Sequence, residues 1–136
     1  MRNIAIGFSA GALGAVANVA FVWLSIQYRL TDLLSLSLSS PPPLPEFLYR
    51  QVAWGGLWGI ALVLPVLERS VILRGLLLGA LASAAALFYF FPLHTNAMGH
   101  GPGLLGQNIG TWMPLFVLIA NSVWGLVAAW FYRQAR

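Results

Sequence analysis

Four long apolar segments, running approximately from Ile4 to Ile26, Phe47 to Leu67, Val71 to Phe91 and Ile109 to Tyr132, occupy almost the whole chain, and the short stretches between them hold nearly all of its charge. Each is close to the roughly 20 residues that a helix needs to cross about 30 Å of hydrocarbon. The pattern predicts an all-α membrane protein, a four-transmembrane-helix bundle, rather than a water-soluble fold. Hydrophobic residues make up 60% of the 136 residues and charged ones 7%. An ordinary soluble domain carries about 25% charged residues. A single transmembrane domain over residues 1–136 uses up the length.

The charges speak of orientation more than of partners. A formal net charge of +4 would suggest nucleic acid in a soluble protein, but here the arginines flank apolar segments, where they set topology, and no nucleic-acid partner is expected. Arg2, Arg69, Arg74, Arg133 and Arg136 gather on one side with the N-terminal amine; Arg29 and Arg50 lie on the other, accompanied by Asp32 and Glu46. The asymmetry predicts cytoplasmic N- and C-termini, with the 27–46 and 92–108 connections outside and the Glu68-Arg69-Ser70 turn inside. Met1-Arg2-Asn3 before an apolar run, with Ala15-Val16-Ala17 as a small-residue site, looks like a secretory signal. The run continues through Ala20, Phe21, Val22, Trp23 and Leu24, longer than a signal core, and reads as a retained span. All basic residues are arginine, which compositional bias explains. The lack of cysteine excludes disulfides, thiolate metal sites and cysteine nucleophiles.

The segments read as two copies of one helical hairpin, 1–68 and 69–136. Gly11-Ala12-Leu13 recurs as Gly79-Ala80-Leu81 at a shift of 68, and Trp58-Gly59 recurs as Trp124-Gly125 at a shift of 66. Both units would start on the same side, so the repeat is parallel, unlike the inverted repeats of many transporters. Small residues form stripes at helical spacing: Gly7, Gly11, Gly14 and Asn18; Gln51, Gly55 and Gly59; Gly75, Gly79 and Ser83; Asn121, Gly125 and Ala129. In lipid, where apolar association gains little, such stripes let backbones approach closely. They predict packing into a bundle, with self-association through an unused stripe as the rival.

Among the connections, 31–40 alternates Ser and Leu, which suits a short strand or a segment lying at the interface. Pro41-Pro42-Pro43-Leu44-Pro45 must be extended, with Pro45 opening the second helix and Glu46 placed to pair with Arg50 one turn on. Gly99-His100-Gly101-Pro102-Gly103 is glycine-rich and irregular, and Pro114 falls in or near the first turn of the fourth helix.

Chemistry-bearing residues are few. Asn18, Gln51, Ser83, Asn121 and Ser122 are the polar residues within the spans. Ion and proton pathways usually carry carboxylates, histidines or arginines at mid-depth. Interhelical hydrogen bonding is the plainer role for Asn18 and Asn121, and a polar path the alternative. His94, Met98 and His100 form an external cluster of copper-binding type but match no established metal spacing, so no metal or cofactor is expected. The carboxylates Asp32, Glu46 and Glu68, the serines at 35, 37, 39 and 40, and Gly99 to Gly103 form no catalytic or nucleotide-binding motif, and an enzyme is not expected. Trp58 and Trp124, beside glycines, read as packing residues.

Gly75-Leu76-Leu77-Leu78-Gly79-Ala80-Leu81 followed by Phe91-Pro92-Leu93 resembles the corresponding stretch of the YagU-like family of bacterial inner-membrane proteins. The Gly/Ala-rich first span leading to the prolines at 41–45 is similar to theirs as well. The resemblance implies a bacterial inner membrane and supplies no reaction or catalytic residues. The expected role is that of a non-enzymatic scaffold or accessory subunit, contacting lipid and other membrane subunits or a second copy of itself. The alternative is an oligomeric channel or transporter component for a small neutral solute or ion.

Overall fold

A computed structural model describes residues 1–136 and shows four helices and no strand. Helix α1 covers Arg2–Gln27, α2 Leu44–Gly59, α3 Val71–Leu93 and α4 Met113–Ala135. Helices α1, α3 and α4, of 26, 23 and 23 residues, are long and apolar enough to cross a membrane. Helix α2 departs from the expected span: its α-helical part holds 16 residues, and a 3-10 turn over Ile60–Val63 extends it. At about 1.5 Å and then about 2.0 Å per residue, the two parts together rise roughly 32 Å. The helix stops short of the expected Leu67 because Pro65 forces Leu64 out of the helical region, to ψ 139°.

The other boundaries have local causes as well. Pro45 and Pro114 occupy the first turns of α2 and α4, where a missing N–H costs nothing. Ser70 caps α3, its hydroxyl accepting from the Leu73 N–H at 3.2 Å. Within α3 the chain widens into a π-helical turn over Ala86–Phe90, with the Phe91 N–H donating to the Ala86 carbonyl. Pro92 explains this, since its ring would collide with the carbonyl of Phe88 in a regular helix and it has no N–H to offer it. The fourth helix begins at Met113, after Gly110, rather than at Ile109.

Consecutive helices pack closely, α1 on α2 and α3 on α4, and α1 also packs along α4. Glycine is required at each crossing. A Cβ on Gly7 would lie 2.8 Å from the Gly59 carbonyl oxygen, and one on Gly59 would lie 2.6 Å from the Gly11 Cα. On the other pair, a Cβ on Gly75 would lie 2.7 Å from the Gly125 carbonyl oxygen and one on Gly79 2.6 Å from that of Asn121. Helices α2 and α3 meet through side chains, Trp54 lying edge-on to Phe90 with centroids 5.4 Å apart.

Two buried clusters fill the interior. One, toward the α2–α3 turn, joins Ala10, Leu62, Leu78, Trp124, Ala128 and Tyr132; the other, toward the long connections, joins Leu36, Leu87, Met113, Phe116 and Val117. Leu36 shows what the Ser/Leu segment does. It is no strand: Leu30–Leu34 forms a 3-10 turn, and the chain then folds back so that Leu36 covers the second cluster. A single backbone bond, from the Ser37 N–H to the Ile109 carbonyl at 2.8 Å, ties the two long connections together. Asp32 pairs with Arg29 at 2.8 Å, whereas Glu46 and Arg50 form no ion pair, contrary to expectation.

Outward faces are apolar on every helix, with Ile4, Leu13, Leu57, Ile72, Leu81 and Leu118 among the exposed residues. Only 33 of 136 residues are buried, so most of the apolar surface faces outward, as hydrocarbon rather than water requires.

Candidate functional site

Asn18, Asn121 and Trp124 direct their side-chain donors at neighbouring helices. Asn18 Nδ2, on α1, donates to the Ala120 carbonyl of α4 at 2.8 Å. Asn121 Nδ2 donates to Ser83 Oγ of α3 at 3.2 Å, and that hydroxyl donates to the Gly79 carbonyl at 2.8 Å. Trp124 Nε1 donates to the Gly11 carbonyl at 2.9 Å, so the residue is a buried donor as well as a packing residue. The Ser122 hydroxyl is spent on the Leu118 carbonyl of its own helix. Gln51, half-buried midway along α2, makes no side-chain hydrogen bond within the chain, while Gly14 is packed against Trp124 and Ala128 of α4. The striped glycines therefore lie at helix contacts, and the two asparagines sit on different contacts, α1–α4 and α3–α4.

The connection holding His94, Met98 and His100 is more tightly organised than its glycines suggest. Asn96 Oδ1 accepts the main-chain N–H groups of Met98 and His100, and Asn108 Nδ2 donates to the carbonyls of Gly99 and Gly101. Gly99, Gly101, Gly103 and Gly106 take positive φ angles that a side chain would strain. His94 Nδ1 is bonded to the Phe90 carbonyl at 2.7 Å, Met98 is exposed, and no group of three histidine or carboxylate side chains gathers there. A polar cleft of about 540 Å³ lies beside this connection, lined by Ser35, Ser37, Asn108, Thr111 and Trp112 among others.

At the opposite end the structure builds a site that counting arginines for topology conceals. Arg74 lies four residues into α3 and is 7% exposed. Its Nη2 donates to the Leu62 carbonyl and, at 2.7 Å, to the Leu64 carbonyl. The broken end of α2 leaves the Leu62 carbonyl without a backbone partner, the Leu64 carbonyl also accepts the Val66 N–H at 2.8 Å, and a cation there complements the helix dipole. Two guanidinium groups lie over the buried ring of Tyr132, Arg74 Cζ at 5.3 Å and Arg136 Cζ at 5.7 Å from its centroid. Arg136 Nη1 reaches across to Glu68 Oε1 at 3.1 Å, tying the end of α4 to the α2–α3 turn. That hydrogen bond and the positive charge of Arg136 hold the Glu68 carboxyl below the usual glutamate range, and Glu68 raises Arg136 in return. These groups, with Arg133, enclose a cleft of about 210 Å³. The sequence signal was available: an arginine inside an apolar run, Val71-Ile72-Leu73-Arg74-Gly75, is not a flanking residue.

Fold and surface define an all-helical membrane protein with three long apolar helices and a shorter one. No protein-family model, curated protein or solved structure matches the chain.

Proposed function

We propose that this chain is a non-enzymatic scaffold or accessory subunit of a larger membrane assembly, acting through its lateral surface. One observation carries the reading: Asn18, Asn121 and Trp124 spend their donors on helix–helix contacts, while the outward faces are broad, apolar and aromatic. A solute path would need unspent polar groups along a continuous opening. Both clefts described above open at the ends of the helices instead. The arginine asymmetry supports cytoplasmic termini, and the YagU-like resemblance supports a bacterial inner membrane. The matching glycine crossings of α1–α2 and α3–α4 support two tandem parallel hairpins, 1–68 and 69–136, in a four-helix bundle.

The face most suited to a partner joins α2 and α3, where Trp54 and Tyr89 are exposed beside Phe90. Aromatic side chains offer large contact area with little entropy to lose, and they are enriched at interface cores. Purification in mild detergent followed by native mass spectrometry tests the reading. Unlike membrane subunits should co-purify with the wild type and be lost from a Trp54→Ala, Tyr89→Ala variant. A homo-oligomer that conducts solute in liposomes would replace the scaffold by a channel, and an inert monomer would overturn both.

A further inference from the structure

The cleft between the start of α3 and the end of α4 carries more positive charge than its own carboxylate neutralises. Arg74, Arg133 and Arg136 line it against Glu68 alone. Arg74 and Arg136 both lie over one tyrosine ring, which holds like charges close together. Their donors are only partly used. Arg74 commits Nη2 to the Leu62 and Leu64 carbonyls and Arg136 commits Nη1 to Glu68, whereas the Arg133 side chain makes no hydrogen bond or ion pair within the chain. Guanidinium groups with free N–H bonds converging on a cleft of about 210 Å³ suit a tetrahedral oxyanion, which they can grip in pairs.

Depth narrows the choice of anion. Arg74 lies about 4.5 Å along α3 from its first residue, and Arg133 lies two residues before the end of α4, so the guanidiniums sit where these apolar helices leave the hydrocarbon. Val71 and Ala129 form the apolar part of the wall, and Ile72, Leu73 and Leu76 continue an exposed apolar surface along α3. A ligand with a phosphate at one end and acyl chains at the other matches both parts. Taking the helices as bilayer spans, we propose that this cleft binds the phosphate group of an anionic phospholipid, with the acyl chains lying along α3.

The purified full-length chain in detergent, titrated with phosphatidylglycerol or phosphatidylcholine and read by native mass spectrometry, tests the proposal. Phosphatidylglycerol should be retained preferentially. Arg133→Gln removes a side chain with no internal partner, so the fold is untouched and retention should fall; R133Q/R136Q together should weaken it about tenfold. The control R29Q/R50Q removes the same charge at the other end and should retain lipid as the wild type does. Equal retention of the two lipids, or equal loss in the control and the cleft variant, would overturn the proposal. Displacement of phosphatidylglycerol by equimolar inorganic phosphate would assign the cleft to a soluble phosphate and overturn the lipid assignment.

Discussion

The crossing of α1 with α2 and the crossing of α3 with α4 use glycine at corresponding places and differ in what accompanies it. Gly7 and Gly11 face Gly55 and Gly59 in the first, so bare backbone meets bare backbone. In the second, Gly75 and Gly79 face Asn121 and Gly125, and Asn121 bonds across to Ser83. A glycine contact limits volume but has little direction, whereas a side-chain hydrogen bond also favours one register. The first pair gains direction from outside itself. Trp124 of α4 bonds the Gly11 carbonyl, and Arg74 of α3 holds the last carbonyls of α2. Helix α2, the shortest and the only one broken by an internal proline before its apolar segment ends, is thus the helix most dependent on its neighbours.

The largest effect should come from filling the all-glycine crossing. Gly59→Leu places a side chain against the Gly7 and Gly11 backbone and should cost about 3 kcal/mol or more, read as loss of the folded population in a denaturant titration in detergent. Arg74→Ala should cost about 1–3 kcal/mol by orphaning the Leu62 carbonyl and removing one of the two bonds to that of Leu64. Hydrogen exchange should quicken at the end of α2 while that of α4 changes little; equal quickening of both would show that Arg74 does not single out α2. Asn121→Ala loses one interhelical bond and should cost only about 0.6 kcal/mol. Asn121→Gly would make the second crossing resemble the first, and a disulfide-trapping scan between α3 and α4 should then report more than one register. Smallest is the effect of acid on the Glu68–Arg136 tie. Since the Glu68 pKa is depressed in the folded chain, its contribution is full above the ordinary glutamate value of about 4.3 and is lost as pH falls through the lower folded value. The mobility of a C-terminal spin label should rise in that window, and Glu68→Gln should abolish the pH dependence.

What could be read from sequence divides by the kind of signal. The three long helices were legible because length and apolarity alone define a bilayer span. The stripes were legible because helical spacing places Gly7 and Gly11, or Gly75 and Gly79, on one face whatever that face meets. Partners were not: Trp124 bonding Gly11, 113 positions away, depends on α1 lying along α4. The end of α2 was open to prediction from Pro65, but an apolar run continues to Leu67 and hydropathy does not register hydrogen-bond geometry. Arg74 was hidden by its usefulness as a topology signal, which treats a buried arginine and a flanking one alike. The Ser/Leu segment kept its period of two, yet with one backbone bond to the other connection it makes a cover rather than a ladder.

The widened turn at Ala86–Phe90 carries one more residue than an α-helical turn would in the same rise. Everything beyond it in α3 is rotated by about one residue's worth, roughly 100°, so a wheel drawn straight through α3 assigns Phe91 and Leu93 to the wrong side. A homologue without Pro92 has no need of the extra residue and would be one position shorter between Ala85 and Phe91, with Gly75, Gly79 and Ser83 unmoved. Sequence alignments across this helix should therefore permit a single-residue gap there, in the middle of an apolar run where gaps are normally forbidden.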